Sequence, residues 1–285
     1  MEKDLIQQSS LVTYGKFAVS GIQMNCLIQL IDSMQKYIKD GTDWIQAETK
    51  KIKHLIPLNE HEEFEISIHN HDIDNYEHKY RVVKELETMA KIIVRYQFLD
   101  KTDGWVNISH PLISSVTWKD GDSNIKIGVG LHQLRWLLAV STQLIPTTFD
   151  KKSVLSLHSP YTKRLYLILS DNYKKIIFKF SIDKLMSILQ SPSYTPQDFE
   201  RYILKPALKE MLVNDNSRLV FKYCFTSEKP SKGRGRKGFD TVTFKIYDKL
   251  TIDWMSEFLK DDWSNRCNPT ISPESDKKIS VCFIE

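Results

Sequence analysis

Nowhere does the 285-residue chain stay apolar for long, and a membrane span needs roughly 20 such residues in a row. Its first ten residues carry charges and two Gln rather than the apolar stretch of an export leader. The expectation is a cytoplasmic protein with no membrane partner. Cysteine is scarce: Cys26, Cys224, Cys267 and Cys282 lie far apart and form no C-x-x-C pair, so neither a zinc ribbon nor a disulfide framework is indicated. The phosphate-loop pattern G-x-x-x-x-G-K-[ST] is absent, and so is any Ser/His/Asp or Cys/His arrangement. Nucleotide hydrolysis and nucleophilic catalysis are not expected, and no cofactor or metal is implied.

Net charge is also small, at +4, but it is unevenly placed. Residues 195–250 hold 12 Lys or Arg against 7 Asp or Glu, so they carry a local +5. Density of charge, more than the average, makes a nucleic-acid face. The densest stretch is Lys229-Pro-Ser-Lys-Gly-Arg-Gly-Arg-Lys237. Alternating runs flank it: Leu219, Phe221, Tyr223 and Phe225 before, Val242, Phe244 and Ile246 after. Together they read as a β-hairpin with a cationic tip, in which Lys232, Arg234, Arg236 and Lys237 can meet a polyanion. A helix feeding into a basic hairpin is the arrangement of a winged-helix DNA reader.

With 41% apolar and 11% aromatic residues, the chain can bury one large or two ordinary cores. In the first half, period predicts a helix over 11–37, a strand over 63–69 and a helix over 76–93. Four short extended segments follow, over 92–99, 105–108, 114–118 and 125–129, broken by Asp103-Gly104 and Lys119-Asp120-Gly121-Asp122. On the second helix Val82, Leu86, Met89 and Ile93 can pack inward, leaving Arg81, Lys84 and Lys91 on the opposite stripe. The second half repeats the order: helix 155–169, strand 176–181, short helix 182–189, longer helix 195–212, then the basic hairpin. The longer helix sets Phe199, Ile203, Ala207 and Met211 against Arg201, Lys205 and Lys209, with a bend expected near Lys205 because Pro206 removes a hydrogen bond. Residues 251–285 hold 4 basic and 7 acidic residues, so this tail is expected to cover a domain or meet a protein.

Two segments carry a family resemblance. Ser159-Pro-Tyr161-Thr-Lys-Arg164-Leu-Tyr166-Leu-Ile-Leu169 and Phe199-Glu-Arg-Tyr-Ile-Leu-Lys-Pro206-Ala207-Leu-Lys-Glu210-Met-Leu resemble the helices "S-x-Y-S-K-R-L-Y-E-L-L" and "F-K-R-x-V-L-K-P-A-L-K-E-I-N" of Rep_3 plasmid replication initiators. The similarity extends from about Thr13 to Tyr247 and departs at Thr162, Leu167-Ile168 and Met211-Leu212. It implies an α+β chain of two tandem winged-helix domains, placed at residues 1–150 and 151–250, with an extension at 251–285. It further implies binding to repeated double-stranded sequences (iterons) at an origin, repression of the chain's own gene, and no catalysis. The implied partners are a second copy in a homodimer with an active monomer, the host replication initiator and the replicative helicase. Arg81 and Arg201 are the candidates for base reading, and Lys84, Lys91, Lys205 and Lys209 for phosphate contact. Lys163 and Arg164 are open to two readings, phosphate contact or a salt-bridged surface.

Two other functions compete. A plain repressor would use the same two domains. A nickase would use His69, His71, Asp72, Asp74 and His78 with Tyr76 or Tyr80, but paired His of that kind flank a bulky apolar residue, and here Asn70 intervenes. The six Trp do not alternate with basic residues as a single-strand stacking platform would require.

Overall fold

The computed structural model describes residues 5–8, 10–35, 63–69, 79–100, 104–138, 147–227 and 239–263. Contacts divide the chain into two units, one on Ile6–Thr147 and one beginning at Thr148.

In the first unit β1 (Leu5–Gln8) and α1 (Ser10–Tyr14) precede α2 (Gly21–Gln35). The single helix expected over 11–37 is therefore two, and Ser20 explains the restart. Its hydroxyl accepts the Gln23 N–H at 3.3 Å while the Gln23 side-chain oxygen accepts the Ser20 N–H at 3.0 Å, a reciprocal cap. α2 is buried on nearly every side, through Met24, Leu27, Ile28, Ile31 and Met34 among others. β2 (Glu63–His69) buries Phe64, Ile66 and Ile68 and exposes Glu65, Ser67 and His69, as its alternation dictates.

α3 (Lys79–Met89) ends earlier than its period suggests, because Ile93 starts a strand and is largely exposed. β3 (Ile93–Asp100) and β4 (Gly104–Pro111) form one hairpin, and β5 (Ser115–Trp118) and β6 (Asn124–Gly130) a second. β2 pairs with β6, so the sheet runs β2–β6–β5. α4 (Leu131–Leu138) was not foreseen; its Trp136 is buried edge-on to Phe17, with ring centroids 5.3 Å apart.

Past β7 (Thr147–Asp150), the second unit places α5 (Lys151–Ser156) and α6 (Pro160–Asp171) where one helix was expected. Pro160 disfavours helical backbone at Ser159, and the Ser159 hydroxyl then caps α6. β8 (Ile177–Ser181) and α7 (Ile182–Leu189) follow. Next comes a continuous helical run, α8 (Pro196–Phe199), a π-helical turn (Glu200–Leu204) and α9 (Lys205–Val213). Pro206 has no N–H for a carbonyl one turn back, and its ring crowds that carbonyl. The chain answers with a wider turn, in which the Lys205 N–H reaches the Glu200 carbonyl, a five-residue step.

β9 (Leu219–Thr226) and β10 (Thr241–Asp248) form the expected hairpin, whose tip at 228–238 lies outside the described residues. β8 pairs with β10, giving β8–β10–β9. Each unit thus has the same strand order, the lone strand beside the second strand of a hairpin. The repeat read from element order reaches down to strand pairing, with β3–β4 as an insertion in the first unit. Cys224, on β9, is disulfide-bonded, which the scattered cysteines do not foretell.

The root of the β9–β10 hairpin is clamped. The Arg218 Nε donates to both Asp248 carboxylate oxygens at 3.1 and 2.9 Å, and the Tyr173 hydroxyl donates to the same carboxylate at 2.8 Å. Burial pulls the Asp248 carboxyl up, but the bonds from Arg218, the Leu250 N–H and Tyr173 outweigh it and hold the carboxyl below its ordinary 3.8. The unfolded chain then takes up that proton first. The clamp's contribution is whole above the ordinary value and fades as pH falls toward the folded one. Thermal melts of Asp248→Asn should lose less stability than wild type between pH 5 and pH 3.

In the β5–β6 turn Gly121 has φ +80°, and the Asp122 N–H closes on the Lys119 carbonyl at 3.1 Å. An added Cβ would meet nothing within 4 Å. Gly121→Ala should therefore cost only the left-handed backbone strain, about 1–2 kcal/mol, read by urea unfolding.

Candidate nucleic-acid interface

Residues 196–213 present one face to the core and one to solvent. The Thr195 hydroxyl accepts the Asp198 N–H at 3.2 Å and donates to the Asp198 carboxylate at 2.8 Å, which fixes the start of the helix. Phe199, Ile203, Leu204, Ala207 and Met211 are buried, as their spacing predicts. Arg201, Lys205 and Lys209 are exposed. In a regular helix a four-residue step advances about 40° around the axis. The π-turn holds more residues per turn, so Arg201 and Lys205 stand closer to one line than that.

Two side chains at this face escape sequence reasoning. Tyr202 is 51% exposed, with the Arg201 guanidinium 5.2 Å from its ring centroid and the Tyr194 ring 5.6 Å away on centroids. Only the exposed stripe on a helix otherwise packed inward could have marked it. Glu200 stands where the initiator motif has Lys, a charge reversal that the helix period hides. Its carboxylate accepts the Tyr223 hydroxyl at 3.0 Å and lies 3.3 Å from the Lys205 ammonium. That exposed ion pair is worth little and leaves Lys205 able to turn to a phosphate.

Lys163 and Arg164 need correction. They are 1% and 3% exposed and point into their own domain. The Lys163 ammonium donates to the Val154 carbonyl at 2.8 Å and the Leu155 carbonyl at 3.4 Å, at the C-terminal end of α5. The Arg164 guanidinium donates to the Ile188 carbonyl, in the last turn of α7. Each cation donates to carbonyls in the last turn of a helix, where the dipole favours positive charge, and a phosphate cannot reach it. Burial holds the Lys163 ammonium down to about 8, with Glu210 pulling the other way, and the Arg164 guanidinium down to about 10. The signal was present in sequence: the cations are followed by the unbroken apolar run Leu165–Leu169, which leaves that part of the helix no wet stripe.

Two lysines of the β9–β10 hairpin are also spoken for. Lys222 lies 4.7 Å from the Phe258 ring and Lys245 5.7 Å from the Trp263 ring, and both reach Asp261. Phe258, on α10 (Trp254–Lys260), packs on Tyr247 and Val220. The described start of the extension therefore covers this domain.

In the first unit Arg81 and Lys84 are exposed on α3 while Val82, Leu86 and Met89 are buried, as expected; Lys91 is exposed too, but it lies in the turn past the helix end and not on its stripe. Lys232, Arg234, Arg236 and Lys237 lie outside the described residues, as do His71, Asp72, Asp74, Tyr76 and His78. His69 is exposed at the end of β2 and Tyr80 is exposed on α3. Among the described residues no group of three or more His, Cys, Asp or Glu could hold a metal, and no helix is long and apolar enough to cross a membrane.

Replacing Lys163 by Ala should lower the urea midpoint of the second unit by the equivalent of about 1–3 kcal/mol, since buried carbonyls lose their donor. The salt dependence of DNA binding should stay at its wild-type slope; a shallower slope would return Lys163 to the phosphate contacts.

Two family models match the chain. Residues 5–170 match Rep3_N, described as "Initiator Replication protein, WH1", and residues 181–246 match Rep3_C, described as "Initiator Rep protein, WH2". Both are winged-helix domains, and the second match runs from the cap of α7 to near the end of β10. No curated protein matches the chain.

Proposed function

The chain belongs to the initiator Rep family of plasmid replication proteins, with its two winged-helix domains in tandem, and from that premise we propose that it binds direct repeats of double-stranded DNA at its origin. The observation that carries this reading is the exposed row of Arg201, Lys205 and Lys209 on a helix whose other face is locked into the core. Such a helix can lie in a major groove. Lys205 and Lys209 release counterions from phosphates and set the register, while Arg201 bridges O6 and N7 of a guanine. Arg81, Lys84 and Lys91 play the corresponding part in the first unit. The basic residues at 229–237 add phosphate contacts of their own.

On this reading the protein acts in the cytoplasm, without catalysis or a cofactor of its own. It opens the origin for the host initiator and replicative helicase as a monomer, and it represses its own gene as a dimer.

Footprinting the protein over the DNA upstream of its own gene tests the proposal. Protection of several direct repeats is expected, whereas a single protected palindrome would favour a plain repressor, and scission of supercoiled origin DNA with manganese a nickase. Binding should weaken steeply with salt, and Lys205→Ala and Lys209→Ala should each reduce the slope of log K against log salt by about 0.9. Arg201→Ala should relax one base position at a cost of about 1–3 kcal/mol on the true site.

A further inference from the structure

We infer that Tyr202 is a base-reading residue, and that with Arg201 it recognises a guanine adjacent to a thymine through the thymine methyl group. This rests on the reading of 196–213 as the helix that enters the major groove.

Tyr202 sits on the solvent side of that helix, and more than half of its surface is open. A large ring is left half in water beside three cations. It is nonetheless held in place. The Tyr194 ring supports it from the loop ahead of α8, with centroids 5.6 Å apart, and the Arg201 guanidinium lies 5.2 Å from its centroid. A side chain braced by two neighbours has already lost most of the rotamer freedom that contact with DNA would cost it. Pro206, one turn on, is exposed too, so the face carries a cationic flank and a short apolar one.

Major-groove chemistry supplies one apolar feature that distinguishes bases, the C5 methyl of thymine. Guanine, with O6 and N7, is the base an arginine reads best. Consecutive residues on one turn, one cationic and one apolar, therefore match neighbouring base pairs of those two kinds. The Arg201–Tyr202 stack couples the two contacts, because moving either side chain displaces the other.

The test is a scan in which each thymine of the protected site is replaced singly by deoxyuridine, which removes only the methyl. Wild type should lose about fourfold in affinity at one thymine beside a guanine, the equivalent of the ~0.8 kcal/mol for one buried methyl-sized group. Tyr202→Ala should bind the thymine and deoxyuridine sites equally. Tyr202→Phe, which keeps the ring and the fold, should restore the difference. At the neighbouring guanine, 7-deazaguanine should weaken wild type but not Arg201→Ala. A scan with no Tyr202-dependent position, while Lys205→Ala still flattens the salt slope, would overturn the assignment and leave the groove-binding helix standing. Unchanged salt slopes in both Lys205→Ala and Lys209→Ala would overturn the groove-binding helix, and this inference with it.

Discussion

The second winged-helix domain depends on two cations that never see solvent. Lys163 and Arg164, adjacent on α6, donate to carbonyls at the ends of two other helices, α5 and α7. α6 also packs against α9 and β9, so one helix touches every layer of the domain. Helix ends are where a small domain must find partners for unpaired carbonyls. Here a single Lys-Arg step places a charged donor at two such ends at once. The exposed face of 196–213 inherits its position from that arrangement, through the packing of α9 on α6.

Much of this was legible in sequence, and the divide follows physics. Strands with one wet face announce themselves by alternation, and β2, β9 and β10 lie where Phe64-Glu65-Ile66 and the aromatic runs put them. The amphipathic helices α3 and α9 were equally plain, since one stripe of each is charged. Helix interruptions were not. Period counts run through Ser20 and Ser159 without noticing that each begins a new helix, because a cap is a hydrogen bond and not a hydropathy pattern. Buried cations were the costlier miss, for charge in a DNA-binding chain invites an electrostatic reading before the surrounding residues are weighed. Tyr202 was passed over because it falls at the variable position of the motif, where the pattern assigns no role.

The two domains share strand order without shared sequence. In both, the lone strand pairs with the second strand of the hairpin, β2 with β6 and β8 with β10. They differ in what surrounds the hairpin. The first unit spends residues 93–111 on the additional pair β3–β4, while the second folds α10 onto its sheet and engages Lys222 and Lys245 with aromatic rings and Asp261. Two lysines of the second unit's sheet are thereby engaged, while Arg201, Lys205 and Lys209 stand exposed on the helix.

The π-helical turn divides that helix into two mechanically distinct parts. Beyond it, Ala207 and Met211 are fixed by packing; within it, Arg201 and Tyr202 are carried on a wider coil. A change within 200–204 can re-aim Arg201 and Tyr202 while Phe199, Ala207 and Met211 keep their seats in the core. Descendants of such a chain can thus acquire a new target by adjusting a swivel, with the foundation beneath it untouched.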